Sequence, residues 1–549
     1  MKAIVQNFRA PVLIVLALTT FATSALAQVV SIPDPGLNAA VREALQKPTG
    51  LLTEQDLLSL TNLNANSRNI SDVQGLEAAR NLVSLNLQIN HLATFALPST
   101  LTNLGVLDLS ANLLTKCSFP GGLMKLATLN LQGNLLTNLT FPAGPNGLSS
   151  LDLSQNRMPS FSLPSNLTSL SFLDLSLNGL TNISLPNGLT NLARLNVRGN
   201  NTLTDLNLPQ GLTALETLDL NQNLLTRVTL PVGMKNLRSL DLEANQLFSL
   251  TLPAGMTNLV ELILERNHLD SLALPADLTK LAVLDLFGNG FQLTNVTIPG
   301  SLTALVDLDL AINQLTTLTL PAGLTNLANL DLFENALTSL TLPAGLIALT
   351  NLDLGVNQLT SFTMPPGATN LTTLSFFSNQ LTNLHLATDM RKLNLLSLSG
   401  NRLRSVDLPS GLTALAFLNL NGNQLTNLTL PPDMQQLIGL FVDGNPFVTL
   451  VLSEPLAATN LAGTVATLRS QGVSVFTYPL AVRMDTTHLT ASVAFEFTLN
   501  GPPGIYTIFG SADLTAWNEL GRTTNILGRV VFTDSTASLS VRKFYRTRQ

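Results

Sequence analysis

The chain has one cysteine, one tryptophan, three tyrosines and four histidines in 549 residues. A single cysteine, Cys117, permits no internal disulfide, so packing and hydrogen bonds must hold the fold. The histidines, His91, His268, His385 and His488, are scattered without the spacing of a zinc site. No G-x-S-x-G and no phosphate-cradling glycine loop occurs. These gaps argue against an enzyme and against a metal or cofactor. Charge is scarce too. Asp, Glu, Lys and Arg make up 11% of the chain with a formal net charge of -6, against roughly 25% charged residues in an average protein. A nucleic-acid binder needs a clustered basic surface and is disfavoured. The mean hydropathy is +0.31. Even so, no apolar run after residue 27 approaches the ~18 residues of a membrane span. With 45% hydrophobic residues the chain is not disordered.

The first 27 residues read differently. Lys2 and Arg9 precede a mostly apolar stretch from Pro11 to Ala22, and Ala25-Leu26-Ala27 has the small-x-small form of a leader cleavage site. The mature chain is expected to start at Gln28, and the protein to be secreted or held at the cell surface. No lipid-acceptor cysteine or apolar C-terminal tail points to an anchor.

What the chain has in abundance is one short unit. The string L-x-x-L-x-L-x-x-N recurs 17 times, ending at asparagines from Asn90 and Asn112 to Asn423 and Asn445. Fourteen of the 16 intervals are 22 residues; the others, before Asn223 and Asn313, are 23 and 24. In L-x-L the leucines point one way and the middle residue the other. A single unit cannot bury its leucines, but stacked units build a continuous core. An inward asparagine amide can bond the backbone of its own and the adjacent coil, which predicts a buried amide ladder. The second half, x-L-T-x-L-T-L-P, alternates again and predicts a short outer strand. Periodic prolines, Pro98 and Pro142 to Pro431 among them, should end it.

The repeat resembles the leucine-rich repeat family over about Leu60 to Asn445. That resemblance implies a right-handed curved solenoid with a parallel concave β-sheet and a convex side of strands and turns. Asp34-Pro35 opens an expected helix to about Gln46, and Thr53 with Asp56 a second. This cap resembles those of bacterial surface proteins of the internalin kind. The expected organisation is a signal peptide (1–27), a helical cap with a degenerate first repeat (28–81), the array (82–445), a C-terminal cap (446–480) and a small β-sandwich-like domain (481–549). The closing cap is expected to contain a helix within Asn460–Ser470 and a strand at Val473–Thr477. In the last domain strands are expected at Val493–Leu499, Ile505–Phe509, Arg529–Thr533 and Lys543–Thr547, with Trp517, Tyr506 and Tyr545 in its core. Its aromatic pattern resembles a small terminal domain of exported bacterial proteins.

The concave face is the candidate surface. The middle residue of L-x-L is Asp in nine repeats, and residues 28–480 carry a net -10, because residues 1–27 and 481–549 each carry +2. Aspartates lined up ~5 Å apart repel one another. They either solubilise the sheet or await a basic protein or, weakly, a divalent cation. One sub-patch adds aromatics: Phe287, Phe333 and Phe377 recur in alternate repeats. Ala311 and Gly355 lie between them, beside Asp285, Asp309, Asp331 and Asp353, with Val283 and Asp307 adjoining. Exposed aromatics in a row mark an interface, or else shield the sheet. Phe417 and Phe441 continue the theme. A monomeric protein binder is the expected function. Glycan binding is the alternative, weakened because residues 82–445 contain no Trp or Tyr; a passive surface-structural role is the other. Cys117 replaces an inward leucine and should be a buried small hydrophobe.

Overall fold

The computed structural model describes residues 28–549 except 122–123, 142–146, 291, 389, 490–493 and 538–541. The leader, Pro142 and Val493 therefore lie outside the described residues. Eighteen three-residue strands, from Asn62–Asn64 to Gly439–Phe441, form one parallel sheet. Each pairs in register with the next coil, as Leu330 does with Leu352. The central leucine of each strand is buried, and these leucines merge into one core from the first cap to the last coil. This is the curved solenoid that the period demands.

The asparagine ladder is present. Asn112 donates from Nδ2 to the Leu87 carbonyl of the preceding coil (2.9 Å) and to that of Leu109 (3.1 Å). Its Oδ1 accepts from the Leu92 N–H at 3.1 Å. The two irregular intervals disturb the pattern. After the 23-residue spacing, Asn223 Oδ1 accepts from the Asn200 N–H at 3.1 Å in place of a leucine N–H. After the 24-residue spacing, Asn313 Oδ1 is buried without a partner among the described residues. A second amide ladder, not read from the sequence, runs along the turns that lead into the inner strands. Asn103, Asn191, Asn258 and Asn326 each donate to a carbonyl 23 residues earlier, at 2.8–3.1 Å.

The convex side differs in one respect from a continuous outer ladder. Its strands close mainly in twos, such as Ser160–Ser162 with Asn182–Ser184 and Ser361–Thr363 with Asn383–His385. Thr319 and Thr341 meet only as an isolated bridge. Coils lie further apart on the outside of a bend than on the inside, so neighbouring backbones reach bonding distance there only intermittently.

At the N-terminal end, Pro35–Ala44 is a helix whose cap, Asp34, accepts from the Leu37 N–H at 3.0 Å. Glu54–Leu58 follows, with Thr53 and Asp56 forming a reciprocal capping box. Beyond the last coil lie two helices, Glu454–Ala458 and Ala462–Ser470; the first of them was not expected. The strand Ser474–Tyr478 then pairs with Thr449–Ser453.

Residues 483–548 form two three-stranded antiparallel sheets. Two of their strands, Arg483–Leu489 and Asn518–Asn525, were not expected. Phe497, Leu499, Tyr506 and Ile508 make the core between the sheets, and Phe495, Phe532 and Tyr545 pack against it. Trp517 is not in that core, contrary to expectation. It is half-buried at the surface, with the Arg546 guanidinium 4.4 Å above its ring. The Arg546 side chain supplies the apolar and cationic cover that a core would otherwise give. Cys117 is half-buried against the solenoid core rather than fully enclosed. Burial still pushes its thiol up to about 12, which leaves it without the thiolate a nucleophile needs.

Candidate functional site: the concave face

On each inner strand the first and third residues face the concavity. The third is Asp or Asn in most coils, and the structure gives a local reason that composition did not reveal. All nine L-x-L aspartates accept, through Oδ1, the backbone N–H two residues on, at 2.7–3.0 Å. Asn86, Asn130, Asn196 and Asn419 do the same at 2.9–3.1 Å. As each coil leaves its strand, an N–H loses its ladder partner, and a short side chain with an oxygen one carbon beyond Cβ satisfies it. Glu is too long for this. The stripe is thus first a set of turn caps, and only the second carboxylate oxygen of each remains for other business.

The two halves of the face handle that second oxygen differently. In the N-terminal half the carboxylate runs are shorter: Asp152 and Asp174, and Asp219 and Asp241, are direct neighbours, with Asn130 and Asn196 on the flanking strands. Asn196 donates to Asp174 Oδ2 and Asn221 to Asp241 Oδ2, both at 2.9 Å. In the C-terminal half, Asp285, Asp309, Asp331 and Asp353 are direct neighbours on four consecutive strands, and Asp307 stands on the same strand as Asp309. Burial pushes Asp309 up to about 7; Asp331, Asp285 and Asp307 add to the rise, while the Ala311 N–H opposes it. Burial also raises Asp285 and Asp331, again helped by neighbouring aspartates. A depression of about 430 Å³ lies over this region, lined by Asp307, Asp309, Asn329, Asp331, Asn351 and Asp353.

The phenylalanines flank it. Phe333 and Phe377 stack with ring centroids 5.7 Å apart and planes 27° apart. Gly355 lies between them, and a Cβ there would sit 2.5 Å from the Phe377 ring. Ala311, between Phe287 and Phe333, is only 1% exposed. The small residues between the rings are therefore the floor that the rings cover, and Phe287, Phe333 and Phe377 are half-buried. Val283 is also half-buried and pairs with Asp307. The structure thus gathers Asp307, Asp309, Asp331 and Asp353 around one depression, places the Phe333–Phe377 stack in the adjoining row, and sets Val283, Asp285 and Phe287 at its N-terminal side.

More openly apolar is a neighbouring group. Leu395, Phe417 and Phe441 are 37%, 39% and 45% exposed on consecutive strands. Leu395 was not singled out from the sequence. The signal that could have found it is its repeat position, the residue before the central leucine, which it shares with Phe417 one coil later.

Among the described residues no group of three His, Cys, Asp or Glu is arranged to hold a metal ion. No described helix is long and apolar enough to cross a membrane. His268 stacks on Phe248, and His488 lies 3.2 Å from Glu496, so neither belongs to the concave constellation.

The family model for the BspA type leucine rich repeat region matches residues 172–289, 221–338, 282–397 and 332–439. A search of curated proteins gave no match. Among solved structures, the functional domain of InlJ from Listeria monocytogenes is similar, with 20% identity and a TM-score of 0.51. The match covers 86% of this chain and 96% of that one. A leucine-rich repeat protein of Leptospira interrogans is 25% identical over 77% of this chain and 97% of its own, with a TM-score of 0.43. YopM from Yersinia enterocolitica is 25% identical over 75% and 91%, with a TM-score of 0.45. Repeat, ladder, caps and family match lead to one assignment: the chain is a leucine-rich repeat protein of bacterial type, built as a solenoid.

Proposed function

We propose that this is an exported, non-catalytic binding protein that holds a protein partner of basic character on its concave face. The observation that carries the reading is the run of register-aligned carboxylates from Asp285 to Asp353, beside the stacked Phe333 and Phe377. Four neighbouring carboxylates raise one another's affinity for positive charge, and lysine or arginine side chains would relieve their repulsion. The rings supply the apolar anchor that pure charge attraction lacks. Leu395, Phe417 and Phe441 extend that anchor toward the C-terminal end. Export rests on the Ala25-Leu26-Ala27 cleavage pattern.

Affinity capture from the native surroundings, with and without calcium, tests the proposal. Replacing Phe333 and Phe377 by Ser should abolish capture while the far-ultraviolet circular dichroism stays unchanged. Capture that survives this double change at full strength excludes the Phe333–Phe377 patch. Capture that depends on calcium and not on the partner's lysines would show that a cation, rather than a basic protein, meets the carboxylates.

A further inference from the structure

We propose that the mature chain begins with pyroglutamate, formed by cyclisation of Gln28. The inference rests on cleavage after Ala27, proposed above, and is independent of what the concave face binds. Gln28 is where the described fold starts to be held. Its carbonyl accepts from the Glu54 N–H at 2.9 Å, Val30 N–H donates to the Leu52 carbonyl at 2.9 Å, and Val29 bridges to Thr53. The Gln28 residue is exposed. It borders a recess of about 250 Å³ that Glu54, Glu77 and Arg80 also line. Both carboxylates there already have partners. Glu54 lies 3.7 Å from Arg80, and Glu77 accepts from the Gly75 N–H at 2.8 Å. A new α-amine at Gln28 would stand beside carboxylates that already have partners.

Cleavage would leave that amine on a residue able to react with itself. With an ordinary pKa of about 7.7–8.0, roughly a tenth of it is neutral at pH 7. Its lone pair attacks Cδ of the same residue's side-chain amide. The N–Cδ bond forms and the Cδ–Nε2 bond breaks. Nε2 leaves as ammonia, carrying the proton that the amine gives up, and a five-membered lactam remains. No oxidant or second reactant is needed. The ring closes within one residue, so the carbonyl that accepts from Glu54 stays where it is. The product has no terminal charge and no free amine for an aminopeptidase. It thus protects a short segment whose pairing with Leu52 and Thr53 closes the first cap of a chain without disulfides.

The test is peptide mass spectrometry of the full chain, exported with its own leader. The N-terminal peptide should start at residue 28, lighter than the glutamine form by one ammonia, and resist aminopeptidase until a pyroglutamyl peptidase is added. The Gln28→Ala variant should be exported with a free amine and be digested directly. An unmodified Gln28 terminus overturns the cyclisation and leaves the cleavage standing. A terminus at any other residue overturns both.

Discussion

At the scale of single residues, the asparagines and aspartates of the repeat do related work with opposite electrostatic consequences. Asn267 donates to the Leu242 and Leu264 carbonyls and accepts from the Leu247 N–H, all while 1% exposed. Asn267→Ala strands those backbone groups in the core, so a loss of about 2–4 kcal/mol is expected from several unmet buried bonds at about 1 kcal/mol or more each. Urea unfolding measures it; a loss below about 1 kcal/mol would mean that water or a shifted coil replaces the amide. Asp309 accepts an N–H as well, but holds a charge among like charges. Its folded-state value of about 7 stands above the ordinary 3.8. Between those values the native state keeps a proton that the unfolded chain has released, so this group's contribution to stability falls as pH rises through that window. Asp309→Asn keeps an acceptor for the Ala311 N–H and removes the charge. The variant should melt higher than the parent at pH 8 and show no advantage at pH 4. A parent whose melting temperature is flat across that range excludes the raised carboxyl.

At the scale of the coil, spacing told most of the story and contact told the rest. The period, the inward leucines, the amide ladder and the capping box were legible because each is a fixed residue type at a fixed offset. The second amide ladder escaped because Asn103 and its equivalents look like ordinary turn residues until the adjacent coil is in place. The strand Asn518–Asn525 (NELGRTTN) has no apolar alternation to betray it, and Glu454–Ala458 is barely more than one helical turn. The aspartate stripe was seen in sequence, but its capping bonds depend on how the chain turns after the strand. The alternation of Phe with Ala or Gly was also visible; that the rings roof over the small residues is a matter of packing. Gly355→Ala tests this coil-level fit. The new methyl would overlap Phe377, so the ring must swing out or the coils must part. Overpacking of this kind costs about 1–3 kcal/mol. The rearranged stack should also weaken partner capture in a chain that remains folded. Unchanged stability and capture would show that the Phe377 ring moves freely and is no fixed anchor.

At the scale of the whole molecule, the question is whether the solenoid and the terminal sheets behave as one body. Tyr478 is fully buried, and its hydroxyl donates to the Leu430 carbonyl at 2.6 Å. Burial, with Asp433 and Tyr506 nearby, keeps that phenol protonated far above its ordinary range. On the other side, Gly528 turns with φ +84°, and a Cβ there would come within 2.7 Å of Tyr478 Cβ. The Gly528 carbonyl accepts from the Gly501 N–H at 3.0 Å, which ties this turn to the loop at Pro502. Pro503 in turn closes a cleft of about 540 Å³ against Pro431 and Pro432 of the solenoid. A repeat array transmits stability only between neighbours, so this wedge is the place where the terminal sheets can share in it. Gly528→Ala strikes it twice, through a left-handed backbone that alanine resists by about 1 kcal/mol and through a clash with Tyr478. Calorimetry of the parent should give a single main transition. The variant should show two, with an early one for residues 483–548, and trypsin should cut sooner at Arg483. If parent and variant both melt in two steps at unchanged temperatures, the terminal sheets are a separate body, and Tyr478 belongs to the solenoid alone.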